Sequence, residues 1–121
     1  MDIVATVPEQ EWEDWLAEGD CAGDVPSGKE HGWKTDLRFL PDVEPGDRLY
    51  IVSHHRVRGF ARVLRVDRTP DENGEGTIWR GSGAAAVTIP EAVRGFGGIR
   101  HRWWDPSDET YFPKWRTEGV S

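Results

Sequence analysis

The chain has 121 residues, a formal net charge of −7 and seven tryptophans, and this length suits a single domain over residues 1–121 with one core. The acidic charge argues against a protein that coats duplex DNA, because such proteins neutralise phosphates with an excess of Lys and Arg. No run approaches the roughly 18 apolar residues of a spanning helix, so we expect no membrane partner, and the lone Cys21 without a secretory signal predicts a reduced thiol in the cytoplasm.

The N-terminal segment is predicted to contain a strand followed by a short helix. Residues 3–7 alternate weakly in polarity, which is typical of a strand. Pro8 suits the first turn of a helix, where its missing N–H costs nothing. Trp12 and Trp15 then fall three residues apart on one helical face, and Gly19 suits the helix end. We expect both indoles to anchor the core, with stacking on a ligand as the alternative.

A loop and a further strand are predicted next. Gly, Asp, Ser and Pro are frequent in residues 19–31, which is typical of a loop. Residues 33–40 can form a strand, and its alternation would place Leu37 and Phe39 inward.

Short strands dominate the rest of the chain. They are bounded by Gly and Pro turns and are predicted near residues 47–54, 58–67, 77–80, 84–93 and 99–104. The rings of Tyr111, Phe112 and Trp115 predict that the tail folds back onto the body. The fold class is therefore mainly β (α+β): a small β-barrel with a short helix covering one open end.

Charge is distributed unevenly along the chain. Residues 1–30 carry nine acidic side chains against the single Lys29, whereas residues 48–68 carry six arginines against Asp67. An acidic lobe beside a basic barrel fits a compact anionic ligand better than a long duplex. Arginines on solvated strand faces are the alternative interpretation of the same pattern.

An aromatic ring and three charges are combined in residues 32–38. If this segment is extended, Lys34, Asp36 and Arg38 share one face. Cations beside a carboxylate hold it ionised and can bind phosphate, and a lysine beside a carboxylate can act as a general base. Trp33 can stack on a base, as can Trp103 and Trp104 near the C-terminus. The alternative is an exposed face on which the charges pair with one another.

We predict no metal site and no cofactor. A metal site needs at least three converging ligands, whereas His54 and His55 are adjacent and would point to opposite faces of a strand. His31 and His101 are distant in the sequence. Ser53 lacks the glycine pattern of a nucleophile elbow, so a serine-based triad is not indicated.

The central hairpin carries a family resemblance. It reads Pro45-Gly46-Asp47-Arg48-Leu49-Tyr50-Ile51-Val52-Ser53, followed by Arg58-Gly59-Phe60-Ala61-Arg62-Val63. It resembles the middle of the ASCH and EVE domains of the PUA-like superfamily, where a Gly-Asp turn opens one strand and a Gly-x-Ala/Gly-x-Val strand follows. Gly32, Lys34 and Arg38 also resemble the Gly-x-Lys-x-x-Glu-x-Arg stretch of ASCH domains, with Asp36 in place of Glu and one residue fewer.

The resemblance implies a PUA-like barrel that binds a plain or modified nucleobase, a nucleotide or an RNA segment in a cleft beside the barrel. We expect Trp33 to stack on the base, with arginines and a lysine meeting phosphate or base acceptors. The expected contact residues are Trp33, Lys34, Asp36, Arg38, Ser53, His54, Arg56 and Arg58.

Two other functions remain open. An ASCH-like hydrolase, either a ribonuclease or an N-acyl nucleoside amidohydrolase, would use Lys34 as its base and Asp36 as the orienting acid. A protein-interaction module would instead dock a partner on the acidic helix face of Glu9 and Glu13 and on exposed tryptophans.

Overall fold

A curled sheet of eight strands and one short α-helix form residues 1–115, the part of the chain that the computed structural model describes. The strands are β1 (Ile3–Thr6), β2 (His31–Asp36), β3 (Arg48–Ser53), β4 (Arg56–Asp67), β5 (Glu75–Arg80), β6 (Ala85–Thr88), β7 (Ile99–His101) and β8 (Thr110–Phe112). The helix α1 (Trp12–Glu18) follows a 3-10 helix (Glu9–Glu11), and further 3-10 helices span Leu37–Phe39 and Pro106–Asp108. The predicted mainly β fold with a short helix is confirmed.

The long strand β4 organises the sheet. It pairs antiparallel with β3 along one edge, and with β6 and then β5 along the other. The resulting order is β2-β5-β4-β3-β1-β7, and β6 and β8 branch from β4. Because β4 changes partners along one edge, the sheet curls into a half-barrel. Residues of β2 and of the loop before β7 line hollows beside the 3-10 helix that precedes α1.

Apolar clusters cover both faces of the central strands. Ile3 and Ala5 of β1 pack into a cluster that contains Trp12, Trp15 and Trp115. Val4 of the same strand packs on the opposite face with Tyr50, Val52, Phe60 and Trp104. The helix is therefore fixed to the sheet by its two buried indoles, as predicted, and the tail folds back through Trp115.

The strand predicted over residues 33–40 is wrong in its second half. Strand β2 ends at Asp36, whose carboxylate accepts a hydrogen bond of 2.9 Å from the Arg38 amide and caps the following 3-10 helix. Phe39 is 68% exposed rather than inward. The charges at Lys34, Asp36 and Arg38 consequently do not form one continuous strand face. Among residues 1–115, no helix is long and apolar enough to cross a membrane.

Candidate functional site

A groove lies where the segment between β1 and α1 passes the sheet edges β2 and β7. Three adjoining hollows make up this groove, and all three are lined by Thr6 and Pro8. We call it the Thr6–Pro8 groove. Its walls come from the approach to α1 and α1 itself, strands β2 and β5, the β3–β4 turn and the loop before β7.

The first hollow, which we call the Arg80 hollow, has a volume of about 310 Å³ and lies between α1 and β2. Strands β2 and β5 contribute Trp33, Lys34 and Arg80, and the helix side contributes Trp15 and three carboxylates. Trp33 is half-buried and meets Trp15 edge to face, with ring centroids 5.9 Å apart. This contact leaves Trp33 held in place at the sheet edge, where one part of its ring faces open space.

Lys34 carries an exposed ammonium group on the same strand. Its Nζ lies 3.0 Å from the Asp71 carboxylate, and the lysine side chain is 57% exposed. Lys34 lines both the Arg80 hollow and the neighbouring hollow of about 420 Å³ between β2 and β7. An ion pair this exposed contributes little to stability, so the ammonium group can exchange Asp71 for an anionic ligand.

The His54 hollow, of about 470 Å³, lies at the other end of the groove and is lined by Ser53, His54 and His55. His54 and His55 form the two-residue β3–β4 turn with φ of 53° and 62°, the pattern of a type I′ turn. The Ser53 hydroxyl lies 3.1 Å from His54 Nδ1. The imidazole also meets Trp12 edge to face at 6.1 Å, so the ring has a defined position.

Five of the predicted contact residues therefore line the groove: Trp33, Lys34 and Asp36 in the hollows beside β2, and Ser53 and His54 in the His54 hollow. Asp36 lines the hollow between β2 and β7, but Arg38 occupies its carboxylate with Nη2 at 2.7 Å. The hydrogen bonds from Arg38 lower the pKa of Asp36 below its usual value. Asp36 is thus an ionised side chain with a local partner.

The other predicted arginines lie away from the groove lining. Arg38 is 78% exposed and stacks over Phe39 outside the three hollows. Arg56 is exposed next to the β3–β4 turn. Arg58 is only 5% exposed, and its Nε donates a hydrogen bond of 3.0 Å to the Ser53 carbonyl. Arg58 therefore supports the groove from beneath.

Most arginine side chains of residues 48–68 make contacts within the fold. Arg48 lies 3.4 Å from the Glu109 carboxylate, and Arg65 lies 3.0 Å from that of Glu30. Arg62 and Arg68 donate to backbone carbonyls. Arg48 is therefore mainly structural, whereas Arg62, Arg65 and Arg68 are exposed side chains with local partners, away from the groove.

Sequence reasoning missed Arg80, which lines the groove on the sheet side. It is 2% exposed, and its Cζ lies 3.9 Å from the ring centroid of Trp15. Burial lowers its pKa, but a guanidinium remains charged at any physiological pH. The alternation of side chains along a strand could have indicated this position. Arg80 is two residues from the buried Ile78, so the two side chains lie on the same face.

The pair proposed for a hydrolase is not formed. Lys34 is paired with Asp71, and Asp36 is paired with Arg38. Within residues 1–115, no three His, Cys, Asp or Glu side chains are grouped so that they could hold a metal ion. The chemistry that the groove offers is ring stacking, hydrogen bonding and ion pairing.

Comparison with known proteins adds little to this picture. No family model matches the chain, and no solved structure matches it significantly. The chain is similar to the protein arginine N-methyltransferase 2 of Cryptococcus neoformans var. neoformans serotype D (strain B-3501A), with 27% identity over 122 residues. The match covers 78% of this chain and 31% of that protein, so the chain spans less than a third of its relative. This similarity is too low to assign the chain to that family.

Proposed function

We propose that the protein is a PUA-like module of the ASCH/EVE type that acts in the cytoplasm and takes a base of an RNA segment or nucleotide into the Thr6–Pro8 groove. One observation carries the proposal. Trp33 and Lys34 on β2 and Ser53 and His54 at the β3–β4 turn, which are distant in sequence, line adjoining hollows that share Thr6 and Pro8. These are the side-chain types that single-stranded nucleic acid binds: a ring, a cation and hydrogen-bonding groups.

Each of these residues has a separate role in the proposal. The Trp33 ring, held by Trp15, supplies a rigid surface on which a base can stack. Lys34 lies at the open side, where the phosphate of a bound nucleotide would meet its ammonium group. His54 Nδ1 contacts the Ser53 hydroxyl, and in this proposal its other nitrogen meets a ribose hydroxyl or a neighbouring base at the far end of the groove.

Titration of the full chain with short single-stranded RNA of mixed sequence tests the proposal. We expect saturable quenching of tryptophan fluorescence, with affinity that falls as salt rises because phosphate contacts release counterions. Lys34→Ala should weaken binding about tenfold, which corresponds to loss of one charge-assisted contact. Lys29→Ala removes the same charge from a loop outside the groove and should leave the affinity unchanged.

The variant Trp33→Leu tests the stacking surface. We expect a loss of about tenfold or more in affinity, because stacking of a base on an aromatic ring contributes about 1–3 kcal/mol. Circular dichroism establishes that the variant remains folded, and Lys34→Ala provides an independent test if it does not. A folded wild-type protein that binds no RNA, nucleotide or nucleoside would overturn the proposal. Cleavage of the RNA during the titration would favour the hydrolase instead.

A further inference from the structure

The buried guanidinium of Arg80 has incomplete hydrogen bonding. Its Nη1 has no hydrogen-bond partner among residues 1–115, and its Nη2 reaches Glu18 Oε1 only at 3.4 Å, beyond the usual range. Buried polar groups normally find partners, because a buried donor without an acceptor destabilises the fold. Because Arg80 also lines an open hollow, a ligand bound there is placed to supply an acceptor.

A second hydrogen-bond donor of a residue that lines the same hollow also lacks an acceptor. The indole Nε1 of Trp15 is buried without a hydrogen-bond partner in the described part of the chain, and Trp15 lines the Arg80 hollow beside Arg80 itself. Both groups are donors only. On its sheet side, this hollow therefore favours a ligand with a hydrogen-bond acceptor, such as a carbonyl oxygen or a ring nitrogen.

The helix side of the hollow has the opposite character. Glu11, Asp14 and Glu18 recur every three or four residues, so they share one helical face, and all three line the hollow. Together with Arg80 and Lys34, they leave the lining with an excess of one negative charge. A free phosphate would meet three carboxylates there, whereas an amino group would find acceptors.

Glu18 is placed to serve both the protein and a ligand. Its side chain is 46% exposed, and its contact with Arg80 is long. Because the carboxylate is partly exposed, a ligand donor can share it with Arg80 without breaking the ion pair. The two side chains can then meet neighbouring acceptor and donor atoms on one ligand edge.

We propose that Arg80 and Glu18 determine which base the hollow accepts. Arg80 donates to a ring nitrogen or carbonyl of the base, and Glu18 accepts from an exocyclic amine beside that acceptor. The hollow therefore prefers amino-bearing bases to their oxo counterparts, and the phosphates remain outside it near Lys34. This inference rests on the proposed function and adds the chemical class of base to it.

Matched nucleosides provide the test. Adenosine and inosine have nearly the same shape, but the order of donor and acceptor on the base edge is reversed, and cytidine and uridine form the corresponding pyrimidine pair. We expect the amino member of at least one pair to bind at least tenfold more tightly, because the oxo member leaves polar groups unpaired. AMP should bind more tightly than adenosine by no more than about tenfold, because its phosphate meets Lys34 outside the hollow and gains nothing from the acidic wall.

A substitution on the helix separates this inference from the proposed function. Glu18→Gln offers both a donor and an acceptor, so the preference for the amino base should shrink to about threefold or less. Glu13→Gln on the same helix lies outside the hollow and should keep the full preference. Equal binding of both members in each pair would overturn the inference while RNA binding still stood. If neither nucleosides nor RNA bind, both proposals fail.

Discussion

The Tyr50 hydroxyl donates a hydrogen bond of 2.5 Å to the carboxylate of Glu109, whose side chain is only 2% exposed. The same carboxylate accepts a hydrogen bond of 2.9 Å from the Trp104 indole. Burial, and after it the contact with Glu109, raises the pKa of Tyr50 to about 12. Glu109 thus ties the segment before β8 to β3, on the sheet face opposite the helix.

Replacement of this carboxylate should destabilise the fold. Glu109→Gln removes the buried charge that Arg48 pairs with. Its amide oxygen can accept from both Tyr50 and Trp104, as Oε2 does, but its NH2 group then faces Arg48 Nη1, so a donor meets a donor. We expect the free energy of unfolding to fall by about 2–3 kcal/mol, measured by urea denaturation. Glu91→Gln, on the exposed surface, should change it by less than about 0.5 kcal/mol. Equal effects of the two variants would show that the Glu109 network contributes nothing.

A second buried carboxylate should make stability depend on acid. Asp20 accepts hydrogen bonds from the Ser27 hydroxyl at 2.5 Å and the Ser27 amide at 2.8 Å, and lies 2.8 Å from His31 Nε2. The Ser27 contacts, followed by that of His31, lower the pKa of Asp20 to about 2. Asp20→Asn should lower the free energy of unfolding at neutral pH by about 2 kcal/mol.

The pH range of this effect follows from the direction of the shift. Because the folded state holds the carboxyl at a lower pKa than the unfolded state does, the contribution of Asp20 is complete above about pH 4 and is lost as the pH falls through about 2. Urea denaturation of wild type and Asp20→Asn at several pH values should show the two converging in this range. Asp108→Asn, at an exposed carboxylate, should show no such convergence.

Local signals were sufficient for much of the fold. The helix was predictable because Pro8 precedes it, Trp12 and Trp15 repeat at helical spacing and Gly19 ends it. Strand ends were less predictable because partners elsewhere in the chain decide them. The strand expected over 84–93 is reduced to Ala85–Thr88, the stretch that pairs with β4 and β8.

The site was predictable where a residue lies on a sheet edge, and unpredictable where both faces of a strand are covered. Trp33 lies on the edge strand β2, so its alternation keeps it near the surface. Arg58 lies in the central strand β4, where residues 57–61 are all buried because apolar clusters cover both faces. A register shift opposite Ile51 and Val52 further disturbs the alternation there, so an arginine expected to meet a ligand became a structural one.

Close backbone approach at Gly59 should make this position intolerant of any side chain. Its φ of +153° lies in a region that L residues rarely adopt, and a Cβ there would collide with the Ala85 carbonyl oxygen and the Trp115 indole. That indole donates a hydrogen bond of 2.6 Å to the Arg58 carbonyl, so it has little room to move. Gly59→Ala should lower the free energy of unfolding by about 3 kcal/mol in urea.

Gly97 is a suitable control for Gly59. A Cβ at Gly97 would have open space around it, and its φ lies outside the strained positive range. Gly97→Ala should therefore change the free energy of unfolding by less than about 0.5 kcal/mol. If Gly59→Ala were as mild, the close packing of Trp115 against β4 would be refuted.

The two histidines of the β3–β4 turn should contribute differently to the free energy of unfolding. Both have positive φ, which a type I′ turn requires and which Gly at the second position adopts without strain. His55 is exposed, and its contact with Glu9 is long, at 3.9 Å, so removal of its side chain loses little stability. His55→Gly should therefore raise the free energy of unfolding by about 0.5–1 kcal/mol. His54→Gly removes the contacts with Ser53 and Trp12 and should lower it. Thermal unfolding of the two variants, compared with wild type, measures the difference, and a gain in stability from both would mean that His54 packs no better than His55.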